Sequence, residues 1–252
     1  MIAKTVVSSL FAGLLLAATP AQADEITVAV AANFTAPFNK IAAEFEKESG
    51  HKVSTSFGST GKFYAQIKNG APFEILLAAD SETPAKLVKE GTAVAGSQFS
   101  YAIGKLVLWS AKPAVVDAKG EVLKGGGFDH IALTNPRLAP YGAAAVETMK
   151  AMGVYDSLAP KFVTAETVTQ AYQFVSSGNS QLGFLALSQV LKDGKVEGSA
   201  WIVPARLYTP ILQDAVLLTP GKDKAGAAAL LTYLKGEKAQ AVVRRFGYET
   251  GL

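Results

Sequence analysis

Residues 25–50 read EITVAVAANFTAPFNKIAAEFEKESG, and this stretch decides the fold. Its first seven residues form a nearly continuous apolar, β-branched run, the composition of a strand buried on both faces and so at home in a parallel sheet. Phe38, Ile41, Ala42 and Phe45 then recur at i, i+3, i+4 and i+7, which lays one apolar stripe along a helix. Gly50 follows as the residue that can take the left-handed stop. A buried strand leading into an amphipathic helix is one βα unit.

The same grammar repeats outward from it. Residues 53–57 predict a second strand, 60–68 a second helix closed by Asn69-Gly70, and 73–79 a third strand. Thr83-Pro84 opens another helix with proline at its first position and Gly91 as its stop. Residues 103–109 and 130–134 predict strands, and the segment from Asn135 to Gly142 opens a helix carrying Ala145, Val146, Met149 and Met152 as far as Gly153. Val168, Ala171, Tyr172 and Val175 mark a helix ending at Gly178, with Thr164 as its expected cap and Glu166 suited to its positive end. Strands are further predicted at 182–187, 201–203 and 215–218, and two helices joined at Lys235-Gly236 within 224–246. Repeated strand–helix units predict a doubly wound α/β sheet. No linker divides the chain, and residues 103–109 and 208–218 are the candidates for extended crossovers between two lobes.

Composition narrows the chemistry. The chain has 252 residues, 49% of them hydrophobic, enough to bury a large core. Charged residues make up 18% and the net charge is +3, too weak and too dispersed for a nucleic-acid binder. The absence of cysteine excludes a thiol nucleophile, an iron–sulfur cluster, a disulfide scaffold and a cysteine zinc site. Lys4, the apolar run 5–18 and Ala21-Gln22-Ala23 read as the three parts of a secretory signal peptide, residues 1–23, which implies a periplasmic location. That run is shorter than the roughly 18 to 20 apolar residues that cross a bilayer.

Catalytic patterns are weak. Gly58-Ser59-Thr60-Gly61-Lys62 lacks the spacing of a phosphate-binding loop, since Phe63 follows Lys62. His51 and His130 read as a turn residue and a strand-edge residue, and neither Asp80 with Glu82 nor Asp214 with Glu249 has a spacing that marks acid–base catalysis. Several helix starts instead carry short hydrogen-bonding residues or free main-chain donors: Asn33, Ser59 and Thr60, Tyr141-Gly142, and Val168. Each such end is a ready anion site and each is equally explained by capping.

The segments Ile26-Thr-Val-Ala-Val-Ala-Ala-Asn33, Phe57-Gly-Ser-Thr-Gly61, Gly70-Ala-Pro-Phe-Glu-Ile-Leu-Leu-Ala-Ala-Asp80, Asn135-Pro136 with Pro140-Tyr141-Gly142, Tyr233-Leu-Lys-Gly236 and Arg245-Phe-Gly247 resemble the periplasmic molybdate-binding proteins of ABC importers. The resemblance runs in order along the whole chain after residue 23. It implies an α/β, bilobal periplasmic binding protein fold of type II, with two α/β lobes joined by two crossover strands. Lobe I would comprise 24–103 and 209–252, lobe II 104–208, and the anion would sit in the cleft between them. The ligand implied is molybdate or tungstate, carried as cargo with no cofactor, no catalytic residue and no enzymatic activity. The partner implied is an ABC transporter permease, with no nucleic acid, and the receptor would be a monomer.

Carried over by position, Asn33 and Thr60 would donate to the anion from one lobe through side chain and main chain. Tyr141 and Val168 would donate from the other through their main-chain N–H groups. The metal would be held only through its oxygens. Ser59 is adjacent, while Lys62 and Arg137 read as solvated or docking charges. Ala186 stands where some members place a tyrosine hydroxyl on the ligand, and the Asn33 amide, with two donors, is the expected replacement. Roughly six to eight hydrogen bonds to a charged acceptor, at about 1.5–3 kcal/mol each, suffice for micromolar binding, which needs about 8 kcal/mol net. The alternatives are a receptor for sulfate or phosphate and a secreted α/β enzyme.

Overall fold

The computed structural model describes residues 23–251 and arranges them on two five-stranded sheets. The expected signal peptide, 1–23, lies outside the described residues except for Ala23. The chain begins with β1 (Glu25–Ala31), α1 (Thr35–Ser49), β2 (Lys52–Gly58), α2 (Thr60–Lys68), β3 (Ile75–Leu77), α3 (Glu82–Lys89) and β4 (Phe99–Gly104). It continues with β5 (Leu106–Ser110), α4 (Val122–Gly125), β6 (Ile131–Thr134), α5 (Pro140–Ala151), α6 (Tyr155–Leu158), β7 (Phe162–Ala165) and α7 (Val168–Ser176). Then follow β8 (Leu182–Ala186), α8 (Leu187–Val190), a small hairpin of β9 (Leu191–Lys192) and β10 (Lys195–Val196), and β11 (Ser199–Ile202). The last elements are β12 (Ile211–Leu217), α9 (Ala225–Lys235) and α10 (Glu237–Arg245).

The first sheet has the order β2-β1-β3-β12-β4 and the second β11-β5-β8-β6-β7. In the first, β1 is parallel to both β2 and β3, and Val28, Ala29 and Val30 are fully buried, as the apolar run requires. Helix α1 packs Phe38, Ile41 and Phe45 into the same core as Ile26, Val28 and the C-terminal helices. Burying each such side chain contributes about 1.5–3 kcal/mol. Gly50 takes φ +78 and ends the helix. The second sheet has its own core around Leu106, Leu108, Ile131, Phe184 and Leu185. The chain crosses from the first sheet to the second between Gly104 and Leu106, and returns between Ile202 and Ile211.

Local departures from the sequence reading have physical causes. The two expected α/β lobes are present as two sheets, each of them mixed, because β12 and β4 close the first and β5 and β11 the second in antiparallel pairing. Residues 103–109 are not one strand: Gly104 ends β4 and Leu106 begins β5, on different sheets. Thr164 lies within β7, and Thr167 caps α7 by accepting from Gln170 N–H at 3.2 Å. Pro84 is the third residue of α3, which starts at Glu82, and the third strand shrinks to Ile75–Leu77.

Candidate functional site

Four parallel strands end at one place. Ala31 of β1 pairs in register with Gly58 of β2, and Thr134 of β6 with Ala165 of β7. Each of these ends feeds a helical turn: Ala32–Phe34 after β1, α2 after β2, α5 after β6 and α7 after β7. Ligands of α/β sheets bind beyond the carboxyl ends of the parallel strands, where the first turns of helices turn unpaired N–H groups outward. Asn33, Thr60, Tyr141 and Val168 each fall in such a first turn. All four line one small cavity between the two sheets, together with Ser59 and Thr167.

Close approach of the backbone builds this site. A Cβ on Gly142 would stand 2.1 Å from the Thr134 carbonyl oxygen, so only glycine lets the start of α5 settle on the end of β6. A Cβ on Gly61 would meet Leu138 at 3.1 Å, and Gly61 N–H donates to the Leu138 carbonyl at 3.0 Å, joining the start of α2 to the segment before α5. Thr60 Oγ1 accepts from Ala79 N–H at 3.0 Å, which leaves the hydroxyl proton free to donate. The Ser59 hydroxyl, buried on the cavity wall, has no hydrogen-bond partner among the described residues.

Among the described residues, no Asp, Glu, Lys, Arg or His side chain lines the cavity. The three helices α2, α5 and α7 present their positive dipole ends to it, which suits a negative occupant held by neutral donors. Behind it the phenols stay protonated: burial pushes Tyr101 and Tyr141 well above the ordinary range and Tyr248 up to about 12.

The Asn33 side chain corrects one expectation. Its Nδ2 donates to Gln213 Oε1 at 2.8 Å and to the Tyr248 hydroxyl at 3.0 Å, so both amide protons are engaged inside the protein. The amide therefore does not replace the donor missing at Ala186. Ser59 Oγ is a hydroxyl on the cavity wall whose proton no other described group accepts, and the Ser-Thr pair at the start of α2 is the sequence signal for it.

Lys62 and Arg137 stay outside. Lys62 pairs with Glu166, and Arg137 lines an adjoining cleft of about 410 Å³, which shares Ala79, Ala139 and Pro140 with the small cavity and is lined also by Asp80, Glu82 and Glu147, whose carboxylates disfavour an anion. The carboxylates noted in the sequence are structural: Asp80 accepts from Thr83 N–H at 2.7 Å, Asp214 accepts from Gln98 Nε2 at 2.6 Å, and Glu249 pairs with Lys105. His51 Nδ1 accepts from Asp24 N–H at 3.0 Å. Among the described residues no group of three His, Cys, Asp or Glu side chains is placed to hold a metal ion, and no helix is long and apolar enough to cross a membrane.

The family model for bacterial extracellular solute-binding proteins matches residues 26–249. The molybdate-binding protein ModA of Azotobacter vinelandii is 59% identical over 243 residues, covering 96% of this chain and 96% of that protein. The ModA protein of Rhodobacter capsulatus is 53% identical over 233 residues, covering 92% and 91%. Among solved structures, an Azotobacter vinelandii periplasmic molybdate-binding protein matches with a TM-score of 0.88 at 43% identity, over 90% of this chain and 100% of that one.

Proposed function

Since the chain belongs to the bacterial extracellular solute-binding proteins, and within them to the molybdate-binding ModA proteins, we propose that it captures molybdate in the periplasm and delivers it to the permease of an ABC importer. Tungstate, of nearly the same size, is carried in the same way. The anion is cargo and not a cofactor, and the protein is a receptor, not an enzyme. Residues 1–23 are its leader. The two lobes, 24–103 with 209–252 and 104–208, close on the anion, and the receptor acts as a monomer without nucleic acid.

One observation carries the reading: first turns from two different sheets converge on a single cavity that has no charged side chain and one unpartnered buried hydroxyl. Main-chain N–H groups of Asn33 and Thr60, with the Thr60 and Ser59 hydroxyls, donate from one lobe, and those of Tyr141 and Val168 from the other. Fixed neutral donors select by size, because a smaller oxyanion leaves some of them stretched, and each poorly made buried bond costs about 1–3 kcal/mol.

Thermal unfolding of the chain from Asp24, with molybdate, tungstate, sulfate, phosphate or no ion, tests this. A ligand at about 100 times its Kd that binds only the folded state adds about 2.7 kcal/mol of stability. Molybdate and tungstate are expected to raise Tm and sulfate to leave it unchanged. A shift with sulfate or phosphate alone would make the protein a receptor for that ion, and no shift with any of them would remove the oxyanion reading.

A further inference from the structure

Asn33 and Tyr141 face each other across the cavity from the two sheets, and behind it their side chains meet at one residue. Gln213, fully buried on β12, accepts from Asn33 Nδ2 at 2.8 Å through Oε1, and the single proton of the Tyr101 hydroxyl is shared between the Ala78 carbonyl at 2.9 Å and the same Oε1 at 3.1 Å. Its Nε2 donates to the Tyr141 hydroxyl at 3.1 Å. Asn33, Tyr101 and Gln213 belong to the part of the chain built on the first sheet, and Tyr141 to the part built on the second. The bridge lies over the first crossover. A Cβ on Gly104 would stand 2.2 Å from the Tyr141 hydroxyl and 2.6 Å from Gln213 Nε2, so glycine there is what leaves room for the bond.

We propose that Gln213 is a positioning residue that couples lobe closure to anion coordination: its bond to Tyr141 forms only when the lobes close, and it fixes Tyr141 and Asn33 while their main chains hold the anion. The proposal rests on the binding reading given above. An amide suits the post because one end must accept from Asn33 while the other donates to Tyr141. The Asn33 carbonyl is held in parallel, accepting from the Tyr248 hydroxyl at 2.7 Å and from Ser188 Oγ of α8 at 2.9 Å. In the open form the Tyr141 hydroxyl returns to water and the bond is lost, so its contribution falls on the closed state alone. It therefore appears as slower anion release.

Tyr141→Phe removes only that hydroxyl and keeps the main-chain donor, and Gln213→Met removes the bridge from the other side. The chain has no cysteine, so Lys89→Cys and Lys150→Cys, one on each unit, allow clean labelling for an inter-lobe distance measurement. Tyr141→Phe is expected to raise the molybdate Kd about five- to tenfold through the off-rate, the worth of one net hydrogen bond. The ion-free Tm is expected to hold and the distance distribution to move toward the open form. In the Gln213→Met background the same change is expected to add nothing further. Should Gln213→Met fail to fold, Tyr141→Phe alone decides. An unchanged Kd and unchanged distances would overturn the proposal, as would a fall in ion-free Tm with no change in the distances, the mark of a purely structural role. If the parent protein bound no oxyanion, the binding reading would fall, and the ion-free distances would still test the bridge: a shift toward open supports it, identical distributions overturn it.

Discussion

Ser59 keeps a hydroxyl that is buried and without a partner, an arrangement that costs about 1–3 kcal/mol unless something fills it. If an anion is what fills it, stability and affinity respond to its removal in opposite directions. Ser59→Ala is expected to leave the ion-free Tm unchanged or higher and to raise the molybdate Kd about tenfold or more, since a hydrogen bond to a charged acceptor contributes about 1.5–3 kcal/mol. Calorimetric titration beside thermal unfolding reads both, and a lower Tm with an unchanged Kd would make the hydroxyl structural. Asp80 behaves differently. Burial lifts its carboxyl above the ordinary value of 3.8, the Glu82 and Asp214 carboxylates add to the rise, and the Thr83 hydrogen bonds oppose it. A carboxyl that holds its proton more tightly when folded contributes stability that is complete below 3.8 and is lost as pH rises through the folded value. Asp80→Asn keeps an acceptor for Thr83 N–H and has no proton to lose. The variant is therefore expected to gain Tm relative to the parent on going from about pH 4 to about pH 7, and a difference that shrinks over that range would contradict the shift.

At the scale of one element, the cap of α7 lets stability and the proposed binding be tested together. Thr167 accepts from Gln170 N–H and so holds the first turn, which brings Val168 to the cavity wall and from which, on the proposed reading, its N–H would donate to the anion. Thr167→Ala is expected to cost about 1 kcal/mol, a fall in Tm of about 2–4 °C, and to weaken molybdate binding as the turn frays. A lost cap with full affinity would show that Val168 does not hold the anion. The same element marks how far sequence reading reaches. The period through Val168, Ala171, Tyr172 and Val175 was legible because burial on one helix face repeats every three to four residues, whereas Thr164 and Thr167 both offer a hydroxyl before it. Only the course of β7, paired residue by residue with β6, puts Thr164 inside a strand. Strand β4 escaped because it is an edge with a half-buried pattern and no alternation to read. Each helix start in the site was legible singly. Their convergence was not, because it depends on which strand ends share a register, and the bonds from Asn33 to Gln213 and Tyr248 join residues 180 and 215 positions apart.

On the scale of the whole molecule, contacts of unequal weight join the two units. Gly61 N–H to the Leu138 carbonyl is a main-chain bond between the two units, and Thr169 Oγ1 to the Ala32 carbonyl at 3.3 Å is a longer one. Lys62 and Glu166 add an ion pair between α2 and the segment before α7, but their side chains are 44% and 66% exposed. Exposed pairs contribute about 0–1 kcal/mol and are screened by salt. Lys62 also places a positive charge near a cavity that attracts an anion, which acts on the rate of encounter more than on the bound state. Lys62→Met is therefore expected to raise the molybdate Kd less than about fivefold, chiefly through a slower on-rate, with the difference vanishing in about 0.5 M NaCl. Stopped-flow binding at two salt concentrations separates the cases. A loss well above tenfold that survives high salt would mean that Lys62 reaches the anion itself, and the neutral-donor account of the site would have to give way to one with a cationic ligand.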